Sequence, residues 1–196
     1  MCISAIRCPC RFLPHRSQIR RTLIAVVGVL ITLVLTTDAE AALLNTEVVK
    51  KVTQLVDLLR DESAAEFKEA RGIKIVKHTN GITVAVAVFT LEGFSFGNDY
   101  WQFMAVFATT RFRNDERSLP HIPPRLALID FTPVGGRLWR NVESKNIRVR
   151  TARRGISIGF DTVEFTPADA ACCPSKKAHA TYTVELSPGS RLKEMH

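Results

Sequence analysis

The segment that most restricts what this chain can fold into is residues 82–91, ITVAVAVFTL, which stays apolar on both faces when written as a strand. A strand with one face in water alternates apolar and polar residues, so an unbroken apolar run belongs in the middle of a sheet with both faces covered. Asn80-Gly81 stands just before it and separates it from residues 73–79. That dipeptide suits the positive-φ positions of a tight hairpin, so the two segments are predicted to pair antiparallel.

One cover for this strand is encoded upstream. Val48, Val52, Leu55, Val56 and Leu59 recur at helical spacing, with Glu47, Lys50, Lys51 and Asp57 on the opposite face. Such a stripe predicts an amphipathic helix packed on the sheet, capped near Asn45 or Thr46. Ser63-Ala64-Ala65-Glu66 has capping-box spacing and predicts a continuation or restart that runs to Gly72.

Downstream the pattern is that of strands and short turns. A turn-rich stretch over 93–99 leads into a strand over 101–112, and a proline-rich loop over 120–124 leads into one over 125–132. Gly135-Gly136 reads as a turn, and strands over 146–151 and 156–165 flank residues 152–155. Along 180–186, Ala180, Tyr182, Val184 and Leu186 alternate with Thr181, Thr183 and Glu185, predicting a last strand with one face to water. Short connections leave no room for crossover helices, so the sheet is antiparallel. The expected class is α+β, an N-terminal amphipathic helix on an antiparallel sheet of six to seven strands, with a β-sandwich carrying an N-terminal helix as the alternative.

Before the helix, Arg7, Arg11, Arg16, Arg20 and Arg21 precede the uncharged 16-residue run 22–37, TLIAVVGVLITLVLTT, and Ala39 and Ala41 follow with small-x-small spacing. A basic region, an apolar region and such a site together predict a signal peptide over 1–41, cut after Ala41. The alternative is an N-terminal membrane anchor, although a spanning helix usually needs about 20 residues. The expected product is a single exported domain over 42–196, periplasmic or secreted, or tethered to the inner membrane and facing the periplasm if the segment is kept. The whole chain has 27 Lys and Arg against 19 Asp and Glu; without 1–41 the balance is 22 against 17. A modest positive charge favours anionic surfaces, and export removes the chain from nucleic acid.

A search for chemistry returns no nucleophile elbow, zinc-protease helix, phosphate loop or dinucleotide fingerprint, so no catalytic residue and no cofactor is assigned. Ser190-Arg191-Leu192-Lys193 has Ser-x-x-Lys spacing but follows Pro188-Gly189 and lacks the companion motifs. His78, His121, His179 and His196 show no metal-ligand spacing. Asp99-Tyr100-Trp101 reads as an aromatic end to the core, with a ligand edge as the other use. Five basic residues, Arg137, Arg140, Lys145, Arg148 and Arg150, precede Arg153 and Arg154, with Glu143 as the lone acid between them. Arg148 and Arg150 share one strand face, and with Arg140 and a stacking Trp139 they form the candidate grip for an anionic envelope component. A solvated sheet face explains the same charges without a ligand.

The remaining motif is Asp169-Ala170-Ala171-Cys172-Cys173-Pro174-Ser175. In an oxidising compartment Cys172 and Cys173 form a disulfide candidate, strained because neighbouring Cα atoms lie about 3.8 Å apart. Pairing to other chains, or metal binding with Asp169 or His179, are the other readings of the pair, although zinc sites favour wider cysteine spacing. This run, the following Thr-Tyr-Thr-Val and the preceding GGRLWRNVESKNIRVR resemble the C-terminal half of uncharacterised bacterial exported proteins with a Cys-Cys-Pro-Ser motif. The resemblance implies a periplasmic setting and supplies no activity. The function expected is a non-enzymatic binding or structural module of the cell envelope, with a thiol, redox or metal-dependent activity at Cys172 and Cys173 as the alternative.

Overall fold

The computed structural model describes residues 41–110, 125–170, 173–187 and 189–195. The chain divides into two compact units, Met1–Leu43 and Leu44–His196. The first falls almost wholly outside the described residues, and the export segment expected there lies outside them too. Among the described residues no helix is long and apolar enough to cross a membrane.

Helix α1 occupies residues 41–59. It already runs as helix at 41, so Asn45 and Thr46 are interior positions rather than caps. Its apolar stripe is buried as the spacing predicts: Val48 and Val52 are fully covered and Leu55 and Val56 nearly so. Past residue 59 the expected helical restart does not occur. Ala65–Glu66 form a short strand, β1, and Lys68–Ala70 a single 3-10 turn. The capping-box residues have other partners. The Asp61 carboxylate accepts from the Ser63 and Ala64 backbone N–H groups, and Glu66 pairs with Arg71. An Asx-type turn at Asp61 thereby offers the backbone an alternative to helix.

The remaining strands are β2 (Gly72–Lys77), β3 (Thr83–Phe94), β4 (Asp99–Thr110), β5 (Arg125–Gly136), β6 (Arg140–Val142), β7 (Arg148–Thr151), β8 (Gly155–Glu164), β9 (Lys176–Glu185) and β10 (Lys193–Met195). All pair antiparallel in one sheet of order β1-β3-β4-β5-β6-β8-β9-β10, with β2 also on β3 and β7 also on β8. Among the described residues ten strand segments stand where six to seven were expected. The additions are pieces of two, three and three residues, too short for periodicity to reveal. The strand over 180–186 is therefore not the last.

The Asn80-Gly81 hairpin forms as predicted, with Gly81 at φ +80° and Asn80 Oδ1 accepting from the Ile82 N–H. From Val84 to Phe89 every residue of β3 is fully buried. One face, Ala85, Ala87 and Phe89, packs with Ala105 and Phe107 of β4 against α1. The other, Val84, Val86 and Val88, packs with Met104 and Val106 against Ile156, Ile158 and Phe160 of β8 and Tyr182 and Val184 of β9. The sheet thus turns on itself, so that β8 and β9 cover the face of β3 and β4 that the helix does not. Among the described residues the result is a sheet-rich fold with one helix, not a helix on a plain sheet of six to seven strands.

Gly135-Gly136 is not the turn. Both residues end β5, opposite Gln102 and Trp101, and the chain reverses over 137–139. They are glycine for space: a Cβ on Gly135 would stand 2.6 Å from Gln102 Oε1, and one on Gly136 3.0 Å from the Trp101 ring. The proline loop expected over 120–124, and the end of the strand expected to reach 112, lie outside the described residues.

Candidate functional site

Strand β8 positions the candidate site because its alternate residues point to opposite faces. Ile156, Ile158 and Phe160 enter the core, so Ser157, Gly159 and Asp161 face outward. Arg148 is in register with Gly159, and Arg150 with Ser157. On the far side, Thr181 is in register with Gly159 and His179 with Asp161. The outer face of β7, β8 and β9 therefore collects Arg148, Arg150, Ser157, Asp161, His179 and Thr181 around the bare backbone of Gly159. A shallow pocket of about 170 Å³ forms there, lined by five of these residues and Gly159.

The charges in this pocket are not equivalent. Arg148 forks onto Asp161, with Nη2 donating to Oδ1 at 2.7 Å and Nη1 to Oδ2 at 3.2 Å. The bond from Arg148 holds the Asp161 carboxyl below its ordinary range and keeps it an anion. Arg148 Nη2 also lies 2.9 Å from His179 Nδ1. Nδ1 also lies 3.4 Å from Asp161 Oδ1, and the shorter contact with a guanidinium, which only donates, assigns Nδ1 as acceptor and Nε2 as the N–H. That Nε2 is 3.0 Å from where a Cβ on Gly159 would stand, which places a donor at the floor of the pocket. Among the described residues no hydrogen bond or ion pair engages the Arg150 guanidinium. Asp161 thus offsets Arg148, while Arg150 contributes uncompensated positive charge beside the Ser157 and Thr181 hydroxyls.

Of the four residues expected to bind, Arg148 and Arg150 come together and the other two stand elsewhere. Arg140 is in register with Glu164, five residues along β8 from Gly159 and thus about 17 Å away. Its side chain turns inward and is 5% exposed. Nε donates to Val134 O at 2.6 Å, Nη2 to Tyr182 Oη at 2.6 Å, and both Nη atoms to Glu194. Trp139 stacks over this guanidinium at 4.4 Å. Burial, joined by Glu194, pushes the Tyr182 hydroxyl far above its ordinary range, so it stays protonated and donates a hydrogen bond to Glu194 Oε2 at 2.8 Å. Arg140 therefore ties β6 to β9 and β10. Its partner Glu194 carried no signal in the sequence, because the short strand that presents it is held by tertiary contacts.

The loop of the cysteine pair is closed by Asp169, whose carboxylate accepts from the Thr166 and Ser175 N–H groups and from the Ser175 hydroxyl. Cys173 is not a free thiol. Cys172 lies outside the described residues. His78 is buried: Nε2 donates to Ala152 O at 2.7 Å and Nδ1 accepts from the Asn80 N–H, which ties the β2–β3 turn to the β7–β8 turn. The Trp101 ring covers Gly136 at one end of β4, and Asp99 pairs with Arg137. His121 and His196 lie outside the described residues. Among the described residues no three His, Cys, Asp or Glu side chains converge on a point where a metal ion would sit.

Comparison with known proteins finds no family model, no curated protein and no solved structure that matches this chain.

Proposed function

We propose that this chain is an exported, non-enzymatic binding module of the bacterial envelope whose outer face on β7, β8 and β9 takes a phosphate-bearing envelope component. The observation that carries the reading is Arg150, a guanidinium that meets no counter-ion among the described residues, beside Arg148, the His179 Nε2 donor and two hydroxyls, with Gly159 leaving room for the His179 ring. Such a set suits an anion that accepts several hydrogen bonds at once, as a phosphate does. The Arg148–Asp161 fork supports this use, because it fixes one guanidinium in place before a ligand arrives.

The basic region, apolar run and Ala39-x-Ala41 site of the leader support export. The loop of Cys172 and Cys173 is read as a structural turn rather than a redox site, since Asp169 ties Thr166 to Ser175 across it. In this reading Cys172 and Cys173 bridge each other.

The test is binding of the purified protein to vesicles containing an anionic phospholipid, to vesicles of phosphatidylcholine alone, and to inorganic pyrophosphate. Salt-sensitive binding to the anionic vesicles or to pyrophosphate, lost in Arg150→Glu, is the expected result. Binding to the vesicles alone identifies a lipid headgroup, and binding to both a phosphate group as such. No binding at low ionic strength, or equal binding by the Arg150→Glu variant, overturns the reading.

A further inference from the structure

A second concavity, which meets the phosphate site at Asp161, opens where the chain leaves β6. Between β6 and β7 the chain departs from β8 over residues 143–147 and turns toward β2, as the 3-10 turn Ser144–Asn146. Two close fits hold the departure in place. Ser144 Oγ donates to Ala70 O, and Gly72 lets the Ser144 carbonyl approach so near that a Cβ there would stand 1.8 Å from it. The gap left behind is a groove of about 730 Å³, within the 300–1,000 Å³ range of small-molecule sites.

The lining of this groove is distinctive in its charges. Its floor is largely apolar, and the half-exposed Phe67 ring forms one wall. Glu69 and Glu143 bring two carboxylates, Lys145 and Lys177 two ammonium groups; Asp161 lines it too, with its carboxylate held by Arg148. Among the described residues no hydrogen bond or ion pair engages any of these four charged ends. A separate observation points the same way: Thr162 lines the groove, is 3% exposed, and its Oγ1 is buried with no hydrogen-bond partner among the described residues. Buried polar atoms are nearly always paired, because leaving one unpaired costs about 1–3 kcal/mol. A hydroxyl kept in that state beside a groove is explained if a ligand supplies the missing partner.

We infer that the groove binds a small zwitterionic ligand of the short-peptide class. A free carboxylate meets Lys145 and Lys177, a free ammonium meets Glu69 and Glu143, the apolar part lies against Phe67, and a peptide carbonyl accepts from Thr162. A simple anion would leave the two carboxylates repelling it, and a simple cation the two lysines. The inference does not rest on the phosphate reading, since Arg150 does not line the groove.

The test is a two-dimensional NMR titration of the purified protein with L-alanyl-L-phenylalanine and with its N-acetyl, C-amide counterpart. The free dipeptide is expected to shift the backbone amides of Thr162, Val163 and Lys177, and the blocked form to bind at least tenfold more weakly. Lys177→Glu should weaken dipeptide binding by a similar factor. Thr162→Val, which removes the unpaired hydroxyl while keeping the shape, should raise the melting temperature yet weaken binding several-fold. Arg150→Glu should leave dipeptide binding unchanged. No shift with the dipeptide, equal binding of the blocked form, full affinity in Thr162→Val, or loss of binding in Arg150→Glu would each overturn the inference.

Discussion

The side-chain amide of Gln102 grips both polar atoms of Val142: Oε1 accepts from the Val142 N–H at 2.6 Å and Nε2 donates to the Val142 carbonyl at 3.1 Å. Gln102 belongs to β4 and Val142 to β6, so a side chain serves where a neighbouring strand would otherwise pair. The contact is 4% exposed at Gln102, and Gly135 keeps the path between the two clear.

Replacing Gln102 with Leu removes both bonds while keeping most of the bulk. Each orphaned buried group costs about 1–3 kcal/mol, so a loss of about 3 kcal/mol is expected. In a domain of this size that lowers the melting temperature by about 6–12 °C. Thermal unfolding followed by circular dichroism measures it, and a shift under about 2 °C would remove Gln102 from the architecture.

The Arg140–Glu194 pair gives an asymmetric prediction. Arg140 is 5% exposed in its side chain and Glu194 25%. Glu194→Ala strands a buried guanidinium and should cost about 3–5 kcal/mol, whereas Arg140→Met leaves a carboxylate with partial access to water and should cost less. Urea unfolding of the two variants decides the order. The reverse order would mean that β10, which presents Glu194, contributes little to holding the fold closed.

Asp61 sets an acid limit. It accepts hydrogen bonds from the backbone N–H of Ser95, from the Ser63 hydroxyl and from the N–H groups of Ala64 and Ser63, and its pKa falls from 3.8 to about 2. A carboxyl with a depressed folded-state value contributes stability that is fully present above about pH 4 and is lost as pH falls toward 2. Stability of the Asp61→Asn variant should therefore fall less steeply than wild type across that window. Parallel acid limbs would show that the turn does not depend on the ionised carboxylate.

How much of this was legible in the sequence depends on the range over which each element is determined. The Asn80-Gly81 hairpin and the doubly buried β3 are local or strongly patterned, and both follow from a short window of residues. The stripe from Val48 to Leu59 gave the helix and its buried face, but Ser63 and Glu66, spaced like a capping box, instead serve a turn organised by Asp61 and an ion pair with Arg71. The short strands β1, β6 and β10 have no period to read. They exist because Gln102, Arg140 and the edge of β3 supply partners from distant parts of the chain. For the site, strand alternation correctly placed Arg148 and Arg150 on one face. Composition did not separate them from Arg140, because burial and the Glu194 partner depend on tertiary structure. Asp161 and His179, which fix Arg148, lie 13 and 31 residues from it in sequence.

Outer-face substitutions should separate binding from folding. Arg150 and Ser157 project from the sheet, so Arg150→Gln and Ser157→Ala should change stability by less than about 0.5 kcal/mol. Gly159→Ala should fill the pocket floor and press on His179, lowering phosphate affinity while both guanidinium groups remain. Calorimetric titration with pyrophosphate measures this. Undiminished affinity in Gly159→Ala would place the ligand elsewhere.

The arginine side chains themselves report most directly whether this face binds phosphate. In protein with nitrogen-15-labelled arginine, titrated with pyrophosphate at low ionic strength, the Nε–H signals of Arg150 and Arg148 are expected to move together and saturate at one affinity. The signal of buried Arg140 should stay fixed, and Arg150→Gln should weaken binding about tenfold, or about 1.4 kcal/mol. Arg148 and Arg150 signals unmoved by pyrophosphate and by anionic vesicles alike, or unchanged affinity in Arg150→Gln, would contradict phosphate binding on this face.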